Sequence, residues 1–490
     1  MTGLLVAGTS SDAGKSLVVT GLCRALHRRG LDVAPFKAQN MSNNSWVVPP
    51  DGSGPAGEIG RAQVLQAQAA GLTPTTAMNP VLLKPGGDRT SHVVLRGLPF
   101  GTLRSGEYAT GRGELAASAF AAFEDLADAH DLVVCEGAGS PAEINLRARD
   151  YVNLGLAARF DLPVIVVGDI DRGGVLASLY GTWGIVDAAD RARLAGYVIN
   201  KFRGDPDVLE PGLVELTART GMPCLGVLPW LHGVALDGED SLDLGRWGLA
   251  PSQSRDVLRV AVIALPRVSN ATDVDALAHE PGVVVSVTHD AAVVQDADVV
   301  VVPGTRSTMA DLEWLRRTGL ARALTSRHAA GRTTIGICGG YQMLATRIVD
   351  ATGVEGAPGE VAGLGLLPVE VVFAAEKVLA TPGGEWEGLP VVGYEIHHGR
   401  CDVQSAAEEF LDGCRVGATW GTLWHGIFEN DRFRRAWLTH AARHTGRRWR
   451  PDPASPGFAE RRERMIDTLA DAVETHLDLN RIIAIAGSDR

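Results

Sequence analysis

The stretch AGTSSDAGKSLVVTGL, residues 7–22, decides the fold of the N-terminal half of the chain. An apolar run precedes it at 1–7, and apolar side chains recur at helical spacing over 17–29. A glycine-rich turn between a buried strand and a helix points backbone N–H groups at an anion, and the helix N-terminus adds positive partial charge. The stretch therefore predicts a phosphate-binding loop. Five residues separate Gly8 from Gly14, which is one more than in the usual motif.

The loop and its surroundings offer the groups that bind a nucleotide and Mg²⁺. Lys15 supplies a positive charge, and Ser16 supplies a hydroxyl oxygen for the metal. A carboxylate at the end of a neighbouring buried strand would complete the metal site, and Glu136 and Asp169 both have this position. Glu136 is favoured, because the glycines after it let the backbone approach the phosphates. We predict a nucleotide site made of Gly8, Thr9, Asp12, Gly14, Lys15 and Ser16, with Lys37 as a second cation and Asn200 as a candidate contact to adenine.

Apolar stretches of strand length alternate with spans that are long enough for a helix. In the first half these stretches are 31–37, 131–139, 162–171, 194–202 and 223–229. The alternation predicts an α/β fold with a parallel sheet that helices cover on both faces. A second series of the same kind begins at 257–266 and continues with 282–289, 297–308 and 333–344.

Residues 230–256 interrupt the alternation. They are rich in Gly, Asp and Ser and show no clear period, which marks a domain boundary. We therefore predict a phosphate-loop domain over 1–235, a linker over 236–256, a second α/β domain over 257–450 and a helical tail over 451–490.

The segment TTIGICGGYQML, residues 333–344, has the pattern of a nucleophile elbow. A strand over 333–337 and a helix over 339–348 would place Cys338 at a tight turn, where small neighbours permit the strained backbone that exposes a nucleophile. The backbone N–H groups of Gly339 and Gly304 are candidates to stabilise an oxyanion. A thiol also needs a base, and His425 in GTLWHGIFEN, residues 421–430, lies at the end of an apolar strand. Cys338 and His425 are therefore the predicted catalytic residues.

Composition limits the class of protein. The chain has 490 residues, 45% of them hydrophobic, without an apolar run of membrane-spanning length or a secretory signal, so a cytoplasmic enzyme without a membrane partner is expected. A formal net charge of −12 argues against nucleic acid as the main partner. The six cysteines lack paired spacing, which indicates a reducing compartment and no zinc site.

The two motifs together resemble a known family. GICGGYQML and WHGIFEN are similar to the class-I-type glutamine amidotransferase domain, and the longer loop GTSSDAGKS resembles that of the dethiobiotin synthetase group. Their order on one chain resembles the cobalamin-pathway amidotransferases. Further segments resemble the cobyric acid synthases among them: PFKAQNMSNNSWV (35–47), EIGRAQ (58–63), NPVLLKP (79–85), EGAGSPAEINLR (136–147) and GYEIHHGR (393–400).

The resemblance implies an activity, cofactors and partners. It implies that ATP and Mg²⁺ are used to amidate the b, d, e and g carboxylates of adenosylcobyrinic acid a,c-diamide, with glutamine as the amide donor. The product would be adenosylcobyric acid. An anionic corrinoid would need cations around it. The candidates are Arg61, Lys84, Arg89, Arg96, Arg147 and Arg149.

One position departs from the class-I pattern, and two other interpretations stay open. Class-I amidotransferases have a Glu two residues after the catalytic His, where this chain has Ile427. Either another group orients His425, with Glu429 as a candidate, or the pair works without one. On a strand, residues 425 and 429 would lie about 13 Å apart. The open alternatives are a cobyrinic acid a,c-diamide synthase or related carboxylate amidotransferase, and a ParA/MinD-like ATPase switch. Such switches carry a signature lysine where this chain has Ser10, and they have no use for an elbow at Cys338.

Overall fold

The computed structural model describes residues 3–50, 54–87, 90–104, 112–234, 256–404 and 407–487. Arg89 and all of the predicted linker except Asp256 lie outside these ranges. Within them, no helix is both long and apolar enough to cross a membrane.

The N-terminal half is built on a six-stranded parallel sheet, as the alternation predicted. Its strands, in order across the sheet, are Cys224–Pro229, Leu194–Phe202, Val164–Asp169, Gly3–Gly8, Leu132–Glu136 and Val33–Phe36. One hydrophobic cluster lies on each face of this sheet. The strand that leads into the phosphate loop is therefore central, and the strand that ends in Glu136 lies beside it.

Helices cover the sheet, and the first half also contains two smaller, separate sheets. The helices are Lys15–Arg28, Arg61–Ala69, Arg112–Ala129, Leu154–Phe160, Val175–Ile185, Ala188–Arg191 and Pro206–Thr220, with 3₁₀ turns at Thr76–Met78 and Arg147–Arg149. A four-stranded sheet contains Gln39–Met41, Val81–Gly87, Thr90–Leu95 and Leu98–Arg104, and Ser45–Val48 pairs with Gly57–Gly60.

The second half has a seven-stranded sheet of its own. Five parallel strands and then two antiparallel ones run in the order Val283–Thr288, Leu258–Ile263, Val299–Val302, Thr334–Ile337, Thr419–Thr422, Gly413–Val416 and Glu408–Phe410. A mixed sheet combines Gly359–Ala362, Arg347–Asp350, Val369–Ala380 and Glu395–Val403, and Gly383–Trp386 pairs with Leu389–Val392. The helices are Asp275–Ala278, Ala291–Asp296, Thr308–Arg317, Leu320–Ala329, Gly339–Leu344 and Asp431–His444, with 3₁₀ turns at Ala271–Val274 and Ile427–Glu429.

The C-terminal helices return to the first half. They span Phe458–His476 and Leu479–Ile485. The longer one packs along the helix Lys15–Arg28 and shares a hydrophobic cluster with the central strand Gly3–Gly8. The end of the chain therefore supports the element that carries the phosphate loop.

Candidate active site

The phosphate loop is folded around its lysine. Gly14 has a left-handed backbone with φ 95°, and the helix Lys15–Arg28 begins directly after it. The buried ammonium of Lys15 donates to the carbonyl oxygens of Ser10 at 3.0 Å and Gly139 at 3.2 Å. The positive charge is thus held between the loop and the glycine-rich segment after Glu136, where a phosphate would need it.

Glu136 lies beside Ser16, as the favoured metal assignment requires. Its Oε1 accepts hydrogen bonds from the Ser16 hydroxyl and the Lys37 ammonium, both at 2.8 Å, and its Oε2 accepts one from Gln66 at 2.5 Å. A hydroxyl and a carboxylate oxygen in contact are the donor set that P-loop enzymes use for Mg²⁺. The residues therefore fit this metal.

Asp169 has a different position. Its Oδ2 accepts a hydrogen bond from the Lys201 ammonium at 2.7 Å, and its Oδ1 accepts one from the backbone N–H of Asp171 at 2.9 Å. The Lys201 ammonium also donates to the carbonyl oxygen of Asp12 at 2.8 Å. Asp169 thus helps to anchor the loop from the next strand, and the geometry favours Glu136 as the metal ligand.

Asn200 packs directly against the loop. Its side-chain amide donates to the carbonyl oxygen of Ala13 at 3.0 Å, and a Cβ at Gly14 would lie 2.0 Å from its Nδ2. Glycine is therefore required at 14 for its backbone angle and for this contact. A contact between Asn200 and adenine stays a prediction. At the start of the loop, the N–H of Thr9 donates to the carbonyl oxygen of Val167 in the neighbouring strand at 2.9 Å.

Cys338 occupies a strained turn between strand and helix. Its backbone has φ 50° and ψ −114°, an unusual conformation for a residue other than glycine, and it separates Thr334–Ile337 from Gly339–Leu344. A Cβ at Gly340 would lie 1.9 Å from the carbonyl oxygen of Val302, so the elbow needs a glycine there. The predicted helix over 339–348 was too long: it ends at Leu344, because Arg347–Asp350 joins the mixed sheet.

His425 has a carboxylate partner that the sequence did not reveal. Its Nδ1 lies 2.7 Å from Oδ2 of Asp273, whose Oδ1 accepts a hydrogen bond from the N–H of Gly426 at 2.8 Å. Both side chains are buried. Burial by itself lowers the pKa of His425, but the charge of Asp273 and its hydrogen bond, together with the neighbouring Cys338, outweigh burial and raise the pKa to about 10. The imidazole is therefore protonated at neutral pH and faces the sulfur of Cys338.

His425 is oriented by another group, as one of the two expectations allowed, but that group is Asp273 and not Glu429. Glu429 does not substitute for the missing Glu, because its carboxylate pairs with Arg61 and Arg462 instead. The pair also does not lack a carboxylate, since Asp273 supplies one. His425 is not on a strand either: the strand Thr419–Thr422 ends before it, and Gly426 turns the chain with φ 72° into the 3₁₀ turn Ile427–Glu429.

The cavity beside Cys338 is lined by both halves of the chain. Lys84 comes from the first half, and Arg306, Gln342, Glu355 and His398 come from the second. A Cβ at Gly304 would lie 2.9 Å from the ring of His425, so Gly304 and Gly339 both border the reacting atoms. Burial raises the pKa of Glu355 to about 7 and lowers that of His398 to about 4. Cations and a carboxylate thus surround the thiol.

Comparison with known proteins identifies the family. Residues 4–243 match the CobQ/CobB/MinD/ParA nucleotide binding domain, and residues 259–433 match the CobB/CobQ-like glutamine amidotransferase domain. The chain is 64% identical to cobyric acid synthase of Cutibacterium acnes, an alignment that covers 99% of each chain. It is 55% identical to cobyric acid synthase of Mycobacterium marinum, over 99% of this chain and 97% of the relative. The chain belongs to the cobyric acid synthase family.

Membership in the cobyric acid synthase family confirms the resemblance seen in the motifs and accounts for both sites on one chain. A ParA/MinD-like ATPase switch would not account for the glutamine amidotransferase match, which contains Cys338 and His425. A solved glutamine amidotransferase is 20% identical and covers 37% of this chain and 98% of its own; its TM-score of 0.31 is too low to carry an argument.

For a cobyric acid synthase, the cations expected around the corrinoid fall into two groups. Arg61 and Lys84 are buried between the halves of the chain and pair with Glu429 and Glu58, so neither lies on an open surface. The other described candidates lie nearer to solvent. Arg96 pairs with Asp125, Arg147 pairs with Asp190, and Arg149 is exposed.

A cavity next to the phosphate loop adds a residue that the sequence did not single out. Arg112 and Arg147 line it together with Gly139, whose carbonyl oxygen accepts from Lys15. No local pattern marks Arg112, because it lies on a separate helix, and only the fold brings it to the end of the strand that carries Glu136.

Proposed function

We propose that the chain is an ATP-dependent, glutamine-hydrolysing ligase that amidates the b, d, e and g carboxylates of adenosylcobyrinic acid a,c-diamide to give adenosylcobyric acid. The observation that carries this proposal is that two groups of side chains, each suited to one half of the reaction, lie on one chain. One holds Cys338, His425 and Asp273, and the other holds Lys15, Ser16 and Glu136. Full-length similarity to cobyric acid synthases supports the choice of substrate.

In the second half, Cys338 releases ammonia from glutamine. The sulfur attacks the side-chain amide carbon, and the N–H groups of Gly339 and Gly304 stabilise the oxygen that becomes negative. His425 then gives a proton to the departing ammonia, while Asp273 stabilises its charged form. Water breaks the resulting thioester and releases glutamate. The sulfur attacks as the thiolate, whose proton has passed to His425, so the imidazolium that results is the group that later protonates ammonia.

In the first half, ATP activates a carboxylate of the corrinoid. Carboxylate oxygen is a poor leaving group, so transfer of the terminal phosphate gives an acyl phosphate, from which ammonia displaces phosphate. Lys15 and Lys37 stabilise the charge on the transferred group. Ser16 and Glu136 would hold Mg²⁺, which neutralises phosphate charge when it is bound.

The test is an incubation with ATP, Mg²⁺ and glutamine and with each corrinoid precursor in turn, followed by mass spectrometry. We expect amide formation at four carboxylates of the a,c-diamide and none on cobyrinic acid itself. Amidation of cobyrinic acid at two positions would instead identify an a,c-diamide synthase. Lack of any glutaminase activity would argue against both ligase assignments.

A matched variant tests the division of labour between the two centres. Cys338→Ala should abolish glutamine-dependent amidation but keep amidation with ammonium salts at alkaline pH, because free ammonia bypasses the thiol and not the acyl phosphate. The same preparation thereby serves as its own folding control. Loss of activity with both nitrogen donors would mean that Cys338 has a structural role.

A further inference from the structure

A short segment of the first half contacts the second half next to Asp273, the carboxylate that pairs with His425. The backbone N–H of Asn270 donates to the carbonyl oxygen of Asn43 at 3.3 Å, and the N–H of Ala271 donates to Oδ1 of Asn44 at 3.0 Å. In return, the N–H of Ser45 donates to Oδ1 of Asn270 at 2.8 Å. The side chains of Asn43, Asn44, Ser45 and Asn270 are all buried. Three hydrogen bonds thus join two buried segments from different halves of the chain.

The turn that receives these bonds carries Asp273. Asn270 has a left-handed backbone, with φ 52° and ψ 47°, and it immediately precedes the 3₁₀ turn Ala271–Val274. This turn continues directly into the short helix Asp275–Ala278, so its first N–H groups are the start of the whole helical segment. The N–H of Ala271 is one of the unsatisfied donors at its start, and Asn44 satisfies it in the way that a cap residue would. The cap therefore comes from the other half of the protein.

The same segment also reaches His425 from a second direction. The ring of Trp46 lies 4.2 Å from the ring of Tyr394, which stacks on the imidazole of His425 at 5.3 Å. Tyr394 and His425 in addition exchange backbone hydrogen bonds of 3.1 and 2.9 Å. Residues 43–46 thus support the histidine through Tyr394 and its acid through Asn270.

We propose that residues 43–46 form a positioning element for glutamine hydrolysis, in which Asn44 and Ser45 hold the turn that keeps Asp273 against His425. The inference rests on the proposed role of Cys338 in hydrolysing glutamine. Residues 43–46 act through Asn270, Ala271 and Tyr394 and do not themselves take part in the reaction. Their effect passes through the orientation of the imidazole, so it should appear in the rate of the chemical step and not in the binding of glutamine.

The test compares Asn44→Ala with Asn270→Gly in the full-length protein. The first variant removes the acceptor for Ala271, and the second removes the acceptor for Ser45 while keeping a residue that tolerates the left-handed backbone. We expect kcat for glutamine hydrolysis to fall about tenfold or more in each, with ammonia-dependent amidation retained. KM should be unchanged in Asn44→Ala, because Asn44, unlike Asn270, does not line the cavity beside Cys338. The double variant should lose little more than the worse single variant, because both act through the same turn.

The controls separate this inference from the proposed function. Wild-type enzyme that hydrolyses no glutamine would refute the proposed function, whatever the variants do. With an active wild type, an unchanged kcat in both variants would overturn the positioning role. Equal loss of glutamine- and ammonia-dependent amidation in a folded variant would also overturn it, since that would place the segment in the synthetase chemistry. If Asn44→Ala fails to fold, Asn270→Gly gives the same test from the other side.

Discussion

Asp273 sets the protonation state of His425, and this has a measurable consequence. Glutamine hydrolysis needs a protonated imidazole to give a proton to ammonia, and the pKa of about 10 implies that activity persists into the alkaline range. In Asp273→Asn the negative charge that raises this pKa is lost. We therefore expect the alkaline decline of kcat to move to lower pH. The maximal rate should also fall about 10²–10⁴-fold, because an amide also permits the wrong imidazole tautomer.

The measurement for Asp273→Asn is the pH dependence of glutaminase kcat in both proteins. Ammonia-dependent amidation should be unaffected and reports that the variant is folded. A variant with the wild-type alkaline limb would mean that another group fixes the charge of His425.

Lys15 should be essential with either nitrogen donor. Lys15→Ala removes a cation that the proposed function assigns to the transferred phosphate, and loss of one such contact in a transition state is worth about 3–4 kcal/mol. We expect amidation to fall a hundredfold or more with glutamine and with ammonia alike. Arg219→Ala is a suitable control, since that exposed cation pairs with Glu215 on the helix Pro206–Thr220, away from the phosphate loop, and should change little. Near-normal turnover in Lys15→Ala would refute the phosphate-loop assignment.

The sequence predicted the site residues that belong to one contiguous motif. It did not predict a contact between residues that lie far apart along the chain. The phosphate loop and the elbow at Cys338 are contiguous motifs whose backbone geometry follows from their own glycines. The contact between Asp273 and His425 joins residues 152 positions apart, and nothing in the neighbourhood of Asp273 marks it as a partner for a histidine. Glu429 was the plausible local candidate, but folding directs it to Arg61.

At the scale of elements, the sequence predicted the C-terminal helix Phe458–His476 but not the helix against which it packs. Its helical pattern was evident from the sequence, whereas its partner, the helix Lys15–Arg28, is more than 400 residues away. Arg24 and Arg28 pair with Glu463, Asp467 and Asp471 along the edge of the contact. These pairs are partly exposed and contribute little stability, so packing of the two apolar faces holds the helices together.

A single glycine allows the two helices to approach closely. A Cβ at Gly21 would lie 2.7 Å from Cγ2 of Val473 and 3.0 Å from the backbone carbonyl oxygen of Leu469. Because backbone cannot move aside easily, Gly21→Ala should lower the free energy of unfolding by about 1–3 kcal/mol. Gly181→Ala is the matched control, since Gly181 is an exposed helical glycine with nothing within 4 Å. It should be neutral or up to about 1 kcal/mol more stable.

The comparison of Gly21→Ala with Gly181→Ala is made by chemical denaturation with the slope of the transition checked for each protein. Equal midpoints for the two variants would show that the helices can separate at no cost, and that the close approach at Gly21 is unimportant.

At the scale of the whole molecule, an ionic cluster joins the two halves. Glu58 pairs with Lys84 from its own half and with Lys377 from the second, and the three side chains are 0%, 3% and 5% exposed. Burial acts to raise the pKa of Glu58, but the two lysines outweigh it and lower that pKa below its usual range. Burial lowers the pKa of Lys84 to about 7 and also lowers that of Lys377. One carboxylate thus compensates two buried ammonium groups.

Replacement of Glu58 should lower the free energy of unfolding by an amount that depends on pH. Glu58→Gln leaves two buried lysines without their counter-charge, and loss of one partner from a buried pair typically costs about 3–5 kcal/mol. The lysines can escape this cost by losing protons, which the unfolded chain, with lysine pKa values near 10.5, still binds. Stability of the variant therefore rises with pH, because its unfolded state holds more protons than its folded state.

The stability of the wild type depends on pH in a different way below neutral pH. Its Glu58 has a lowered pKa, so the stability that it contributes is present above the usual value of 4.5 and is lost only below it. The gap between wild type and Glu58→Gln should consequently widen as the pH falls from about 7 toward 4.5, and denaturation at several pH values measures it. Glu360→Gln, which breaks the exposed pair with Arg347 by the same change of charge, should differ little from wild type throughout. A gap for Glu58→Gln that stays constant with pH would mean that Lys84 and Lys377 keep their protons, and that solvent reaches the contact between the two halves.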